Sequence, residues 1–214
     1  MAPLVKICGL TDPEQAMAIA ALGASAIGVI AVPQSPRWLE PPRRAPLFAA
    51  VRRQSPTCQG VLVVADPADG DLAALGSGGG HQVVQLHGQE TPERCRQLRQ
   101  RLDVQLWKAL RIRRPEDLKR VEAYGDAVDA LLLDAWAPDQ LGGTGLALPI
   151  DWLRDFVPPL PWWLAGGLRA DRLPAVLAAL RPTGLDVSSG VERSPGDKDL
   201  QQVAELLQIV ERWP

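Results

Sequence analysis

The sequence has few of the residues that mark metal centres, disulfide frameworks or membrane spans. Its 214 residues include three cysteines and two histidines, and no two cysteines have the short spacing of a zinc or redox motif. No apolar run approaches the ~18 residues that a membrane-spanning helix needs, and no basic segment followed by an apolar stretch opens the chain. These absences predict a reduced, cytoplasmic protein that binds no metal and spans no membrane.

The charge balance also excludes a class of partners. The net charge is −2, which gives no general attraction to nucleic acid or to anionic lipid. Any anion that the protein binds must therefore be held by local groups. An apolar fraction of 46% and a charged fraction of 22% are ordinary for a globular domain with a sizeable core.

Short apolar runs alternate with longer amphipathic stretches along the whole chain. The predicted strands are Leu4–Cys8, Ala26–Ala31, Gly60–Ala65, Gln82–His87, Gln105–Leu110, Ala130–Asp134, Trp162–Ala165 and Gly184–Ser188. Several are continuously apolar, as parallel strands covered on both faces are. With about eight helices between them, they predict a (β/α)₈ TIM barrel forming a single domain over residues 1–214. A doubly wound sheet has the same local pattern and stays open as an alternative.

Local signals mark where some helices begin and where loops lie. Thr11-Asp12-Pro13-Glu14 and Thr91-Pro92-Glu93 each place a capping side chain before a proline in the first helical turn. The stretch Pro33–Pro46, rich in proline and arginine, and the glycine cluster Gly76–Gly80 are predicted to be loops.

In a barrel of this kind the active site lies at the carboxyl ends of the strands. Motifs at or beyond the predicted strand ends are KICG at 6–9, SPR at 35–37, QLHG at 85–88, LLLD at 131–134, GGTG at 142–145, AGGL at 165–168 and DVSSGVE at 186–192. This ordered set, which covers essentially the whole chain, resembles the phosphoribosylanthranilate isomerase family of tryptophan biosynthesis. The chain departs from the family at Ala135-Trp136, where Thr or Ser commonly follows the acid, and at Ile30-Ala31-Val32, where an aromatic pair is common.

The resemblance implies an isomerase that uses Cys8 as general base. Judged alone, a lone cysteine is more often a small buried apolar residue. Its position at the end of the first strand favours the functional interpretation, since a thiolate whose pKa is lowered by local positive charge can remove a proton from carbon. Cys58 begins an apolar strand and Cys95 lies on a leucine stripe, so both are predicted to be structural.

The resemblance assigns the general acid to Asp134, which ends the apolar run 130–133. A helix cap or a solvated loop residue is the structural alternative. The implied reaction is an Amadori rearrangement that converts N-(5-phosphoribosyl)anthranilate to 1-(2-carboxyphenylamino)-1-deoxyribulose 5-phosphate. Because the substrate nitrogen serves as the electron sink, no cofactor is expected.

Glycines near the ends of the last two strands predict a phosphate site. Gly166 and Gly167 follow the seventh strand, and Ser189, Gly190 and Val191 follow the eighth, where barrels of this class commonly bind phosphate. Ordinary turn chemistry is the alternative for such glycines.

Three further side chains are candidates for substrate binding. By resemblance Arg37 would hold the anthranilate carboxylate and His87 would line the pocket. The structural alternatives are an arginine exposed to solvent and a strand-end histidine whose hydrogen bonds are made within the fold. Asp186 would lie near the sugar hydroxyls or make a structural hydrogen bond. Gly142–Gly145 is either a loop that closes over substrate or a connector.

Two other functions stay open. A histidine-pathway isomerase performs the same rearrangement on a larger aminoaldose, but that family uses aspartates for both proton transfers, and Cys8 argues against it. A non-catalytic phosphosugar-binding barrel would need neither Cys8 nor Asp134. The expected partner is a small phosphorylated substrate, and both a monomer and a homodimer are compatible with the sequence.

Overall fold

The computed structural model describes residues 2–136 and 146–213, and eight parallel strands in these ranges close into a barrel. The strands are β1 Leu4–Cys8, β2 Ala26–Ile30, β3 Gln59–Val64, β4 Val83–Leu86, β5 Gln105–Ile112, β6 Ala130–Ala135, β7 Trp162–Ala165 and β8 Gly184–Val187. Each pairs with the next in sequence, and β8 pairs with β1. The predicted barrel is confirmed, the doubly wound sheet is not, and each strand lies within two residues of its predicted bounds.

Over residues 2–136 and 146–213, the α-helices on the outside are fewer than the eight or so predicted. The described residues form α1 Pro13–Ala21, α2 Pro41–Gln54, α3 Leu72–Leu75, α4 Pro92–Arg101, α5 Leu173–Ala179 and α6 Leu200–Glu211. After β5 the chain forms a 3₁₀ helix, Pro115–Tyr124. Its apolar residues Leu118, Val121 and Tyr124 recur every third position, which matches three residues per turn.

The prediction of a loop over Pro33–Pro46 is wrong for residues 41–46, because α2 begins at Pro41. Pro41 and Pro42 occupy the first turn, where the missing N–H group has no helical partner to lose. Pro46 lies further inside and removes one helical hydrogen bond. Proline there lowers helix propensity without preventing a helix whose face, including Leu47 and Val51, is buried.

The predicted helix starts are confirmed by their capping hydrogen bonds. Asp12 accepts from the backbone N–H of Glu14 at 2.8 Å, and Thr91 accepts from that of Arg94 at 3.2 Å. Each cap satisfies one backbone donor that the first helical turn leaves unpaired.

Alternate residues along the strands point into the barrel. The lower interior contains Trp107 on β5 and Trp163 on β7, whose ring centroids lie 4.7 Å apart. Gly184 on β8 leaves room for the Trp163 ring, since a Cβ atom there would come within 2.3 Å of it. A second apolar layer lies between the strands and the helices. Among the described residues, the base of the barrel is filled by side chains, and the upper end has room for a ligand.

A short antiparallel hairpin follows β8 and bears on the site. Its strands are β9 Glu192–Ser194 and β10 Asp197–Lys198. Over the part of the chain that the structure describes, no helix has the length and apolar character to cross a membrane.

Candidate active site

A cavity of about 240 Å³ opens at the carboxyl ends of the strands. It is lined by nine of the ten residues proposed from the sequence, namely Cys8, Arg37, His87, Asp134, Gly166, Gly167, Asp186, Ser189 and Gly190. Val191, the tenth, is buried and is not part of the lining. Ile30 and Val32 form part of its apolar wall. Gly142–Gly145 lies outside the described residues.

Cys8 lies at the top of β1 with its side chain in the cavity wall and only 5% exposed. Burial raises the pKa of its thiol, the nearby Lys6 ammonium opposes that increase, and the Asp186 carboxylate adds to it. The lowered pKa expected for a catalytic thiol is therefore not found in this structure. Burial disfavours the thiolate more than the lysine favours it.

Lys6 points into the barrel one inward position below Cys8 and is completely buried. Its Nζ donates to Asp186 Oδ1 at 2.8 Å and to Gln85 Oε1 at 2.9 Å. Burial alone would lower the pKa of Lys6, but Asp186 and the Cys8 sulfur outweigh it and raise the pKa. Asp186 therefore makes the structural hydrogen bond that was its alternative role, and it also lines the cavity.

Asp134 ends the inward-facing row of β6 and is 4% exposed. Its Oδ2 lies 3.5 Å from Nε2 of His87 on the segment after β4, and both side chains line the cavity. The Nδ1 atom of His87 lies 3.2 Å from Nε2 of Gln85. The helix-cap and solvated-loop alternatives for Asp134 do not describe this position.

Arg37 is also buried, and most of its guanidinium is already engaged. Its Nε and Nη2 donate to the carboxylate of Glu192 at 2.7–3.1 Å, leaving Nη1 as the nitrogen that Glu192 does not hold. Glu192 accepts at the same time from Lys198 Nζ at 2.6 Å. Burial alone would raise the pKa of Glu192, but Arg37 and Lys198 outweigh it and lower the pKa.

Lys198 joins the ends of β1 and β8. It is fully buried, and its Nζ donates to the backbone carbonyls of Cys8 and Ser188 as well as to Glu192. Ser188 Oγ also donates to the Cys8 carbonyl, at 3.0 Å. The β9–β10 hairpin therefore fixes the backbone that carries the candidate base.

The two glycine loops pack against each other in the cavity wall. Gly166 and Gly167 have φ values of +89° and +58°, which residues other than glycine rarely adopt. A Cβ atom on Gly190 would lie 1.9 Å from the carbonyl oxygen of Leu168. Positive φ at Gly166 and Gly167 and close backbone approach at Gly190 therefore favour glycine, and all three residues line the cavity.

The other two cysteines lie outside the cavity lining. Burial raises the pKa of Cys58 to about 11 and that of Cys95 to about 12. Both side chains pack in the outer apolar layer. Among residues 2–136 and 146–213, no group of three or more His, Cys, Asp or Glu residues could hold a metal ion.

Sequence reasoning missed Gln85, Lys6, Glu192 and Lys198 as parts of this site. Gln85 and Lys6 lie in the quoted motifs, and strand alternation gives the signal. Lys6 shares the inward face of β1 with Cys8, and Gln85 shares that of β4 with His87. No local signal connects Lys198 or Glu192 to Arg37, which precedes them by about 160 residues in the chain.

The fold and cavity define a (β/α)₈-barrel enzyme with a thiol, a carboxylic acid and glycine-lined loops around one small pocket. Residues 5–209 match the family model described as N-(5'phosphoribosyl)anthranilate (PRA) isomerase. The chain is 50% identical over 208 residues to the N-(5'-phosphoribosyl)anthranilate isomerase of a Synechococcus species, covering 97% of this chain and 90% of the relative. This protein belongs to the N-(5'-phosphoribosyl)anthranilate isomerase family.

Solved structures agree with this membership. The phosphoribosyl anthranilate isomerase of Thermotoga maritima superposes with a TM-score of 0.87 at 27% identity, over 99% of this chain and 100% of that one. A phosphoribosyl anthranilate isomerase in complex with reduced 1-(o-carboxyphenylamino)-1-deoxyribulose 5-phosphate superposes with a TM-score of 0.82, at the same identity and coverage.

Proposed function

We propose that this chain, acting as one catalytic domain over residues 1–214, converts N-(5'-phosphoribosyl)anthranilate to 1-(2-carboxyphenylamino)-1-deoxyribulose 5-phosphate. The observation that carries the proposal is that Cys8 and Asp134 line the same cavity in a member of this family. A base and an acid on separate strands can act on two different atoms of one small substrate.

In the first step Asp134 gives its proton to the ring oxygen of the ribose. The bond between C1′ and that oxygen breaks, and the nitrogen lone pair forms a C1′=N bond, so the product is an open-chain iminium ion. Asp134 is buried beside His87 at the cavity wall, where the leaving oxygen can approach it. Proton donation makes the departing oxygen a neutral hydroxyl, which lowers the barrier to ring opening.

In the second step the Cys8 thiolate removes the proton from C2′. The electrons of that C–H bond form a C1′=C2′ double bond and neutralise the iminium nitrogen, giving an enolamine. Transfer of the C2′ hydroxyl proton to C1′ then yields the ketone. The Lys6 ammonium supports the thiolate against the effect of burial, which raises the pKa of Cys8.

The phosphate and the carboxylate at the two ends of the substrate match other residues that line the cavity. The phosphate would accept hydrogen bonds from backbone N–H groups at Gly166–Gly167 and Ser189–Gly190, with Val191 supporting that turn from the core side. The anthranilate carboxylate would accept from Nη1 of Arg37. His87 and Asp186 would contact the sugar between these two sites.

The test is an assay with phosphoribosylanthranilate, following the loss of its fluorescence. Cys8→Ala and Asp134→Asn should each lower turnover by about 10²–10⁴-fold, the usual cost of losing a positioned base or acid. Cys58→Ala, which removes a buried thiol outside the cavity, should keep activity near the parent value and is the matched control.

The outcomes separate the competing functions. No turnover by folded protein would contradict the proposal and favour a barrel that only binds phosphosugars. Turnover of the histidine-pathway aminoaldose in place of phosphoribosylanthranilate would favour the related isomerase. Near-normal activity of Cys8→Ala would remove Cys8 from the role of base while leaving the overall reaction in place.

A further inference from the structure

The orientation of the Gln85 side-chain amide is determined by its buried neighbour Lys6. The oxygen and nitrogen of such an amide can be exchanged without changing its shape, so the hydrogen-bond partners must decide between them. An ammonium group has donors and no acceptor. The Gln85 atom that lies 2.9 Å from Lys6 Nζ must therefore be the carbonyl oxygen, Oε1.

This orientation in turn determines which nitrogen of His87 carries the proton. With Oε1 turned to Lys6, the amide nitrogen Nε2 of Gln85 is the atom 3.2 Å from His87 Nδ1. An amide nitrogen donates and does not accept. His87 Nδ1 is therefore the acceptor, and the neutral imidazole carries its single proton on Nε2.

The Nε2–H group of His87 points to the candidate acid. It lies 3.5 Å from Asp134 Oδ2, is buried, and has no hydrogen-bond partner in the ranges that the structure describes. A distance of 3.5 Å is too long for a strong hydrogen bond, so the donor is near the carboxyl group without being committed to it. A donor in that position can shorten its contact when Asp134 becomes a carboxylate.

From this geometry we propose that Gln85 is a positioning residue, which holds His87 in the Nε2–H tautomer so that His87 donates to Asp134 after the acid has given up its proton. In this series of contacts each residue directs a donor at the next, Lys6 at Gln85, Gln85 at His87, and His87 at Asp134. The role after proton transfer rests on the proposed function, whereas the tautomer does not.

The tautomer is measurable without substrate, by ¹⁵N NMR of the imidazole nitrogens in histidine-labelled protein. The chain has only two histidines, and His81→Gln identifies the His87 signals. We expect His87 to show a protonated Nε2 and an unprotonated Nδ1. A proton on Nδ1, protons on both nitrogens or averaging between tautomers would overturn the proposal.

Variants of Gln85 test whether it acts through His87. Gln85→Glu keeps an oxygen for Lys6 but presents a second acceptor to Nδ1, so the proton should move to Nδ1 and the Nε2 lone pair should face Asp134. His81, whose Nε2 lies 2.9 Å from the Leu75 carbonyl, should keep its tautomer and serves as internal control. We expect kcat to fall about 10–100-fold with KM little changed, since a hydrogen bond to a charged group is worth about that factor.

A double variant distinguishes positioning from a direct effect. His87→Leu alone removes the donor and should lower kcat by the same factor. If Gln85 works through His87, Gln85→Glu should cause no further loss of kcat in the His87→Leu protein. Independent, multiplying losses would overturn the proposal, as would a Gln85→Glu protein with parental kcat. If the tautomer is as expected but the protein has no isomerase activity, the proposed function fails and the tautomer assignment stands.

Discussion

The Lys6–Asp186 pair permits a quantitative prediction. Nζ and Oδ1 lie 2.8 Å apart, with Lys6 fully buried and Asp186 only 9% exposed. At an effective dielectric constant of about 20 their attraction is on the order of 6 kcal/mol, against a desolvation cost of several kcal/mol for each ion. The pair as a whole therefore adds little net stability, but removing one member leaves a buried charge without its counter-ion.

Lys6→Met should accordingly lower the free energy of unfolding by about 3–5 kcal/mol, the usual cost of breaking a buried pair. That is a large part of the ~5–15 kcal/mol that stabilises a typical domain. Replacing both members, as Lys6→Met with Asp186→Asn, removes both charges and should recover most of the loss. Urea denaturation at neutral pH measures all three proteins.

Arg154→Met is the matched control on the surface. Arg154 Nη2 lies 3.0 Å from Asp151 Oδ1, a similar distance, but both side chains are more than half exposed. Its loss should change stability by less than about 1 kcal/mol. The reasoning is refuted if Lys6→Met costs no more than this control, or if the double variant is less stable than Lys6→Met alone.

Three further predictions concern the glycine loop, the Arg37 partner and the buried thiols. Gly190→Ala should lower stability by about 1–3 kcal/mol and weaken binding of inorganic phosphate, because its Cβ would overlap a backbone carbonyl, whereas Gly70→Ala, with open space around it, should change neither. Because the folded-state pKa of Glu192 lies below its ordinary value of 4.5, the stability that this carboxylate contributes is present above pH 4.5 and lost as the pH falls through the folded pKa. Urea titrations should therefore find Glu192→Gln less stable than the parent at neutral pH, with the difference shrinking in acid; a constant difference would contradict this. Iodoacetamide at neutral pH should alkylate Cys8 before Cys58 and Cys95, because Cys8 lines an open cavity whereas the other two thiols pack in the outer apolar layer, and mass spectrometry of the digested protein reports the order.

The strands were predictable because each carries its own evidence. Continuous apolar runs mark strands buried on both faces, and alternation shows which side chains enter the barrel. The sequence alone could therefore place Cys8, His87 and Asp134 at the top of the barrel. The helix after β5 was less predictable, since the spacing of Leu118 and Val121 fits both a 3₁₀ and an α-helix.

The partners of the site residues could not be predicted, because they come from distant parts of the chain. The Lys6–Asp186 and Arg37–Glu192 contacts join residues 180 and 155 positions apart. Nothing local indicates that Glu192 occupies two of the three nitrogens of Arg37, or that burial outweighs Lys6 in setting the pKa of Cys8. Such outcomes depend on distances that only the closed barrel provides.

These buried pairs also explain how a chain with net negative charge can hold an anionic substrate. Beside the cavity, the cations Lys6, Arg37 and Lys198 face the carboxylates Asp186 and Glu192, which leaves one net positive charge while the candidate acid is protonated and the candidate base is a thiol. Burial limits the solvent screening of that charge. The excess is a single charge, and Arg37, one of these cations, lies where the proposed substrate places its carboxylate. The attraction that the overall charge of −2 does not supply therefore comes from the distribution of charge within the barrel.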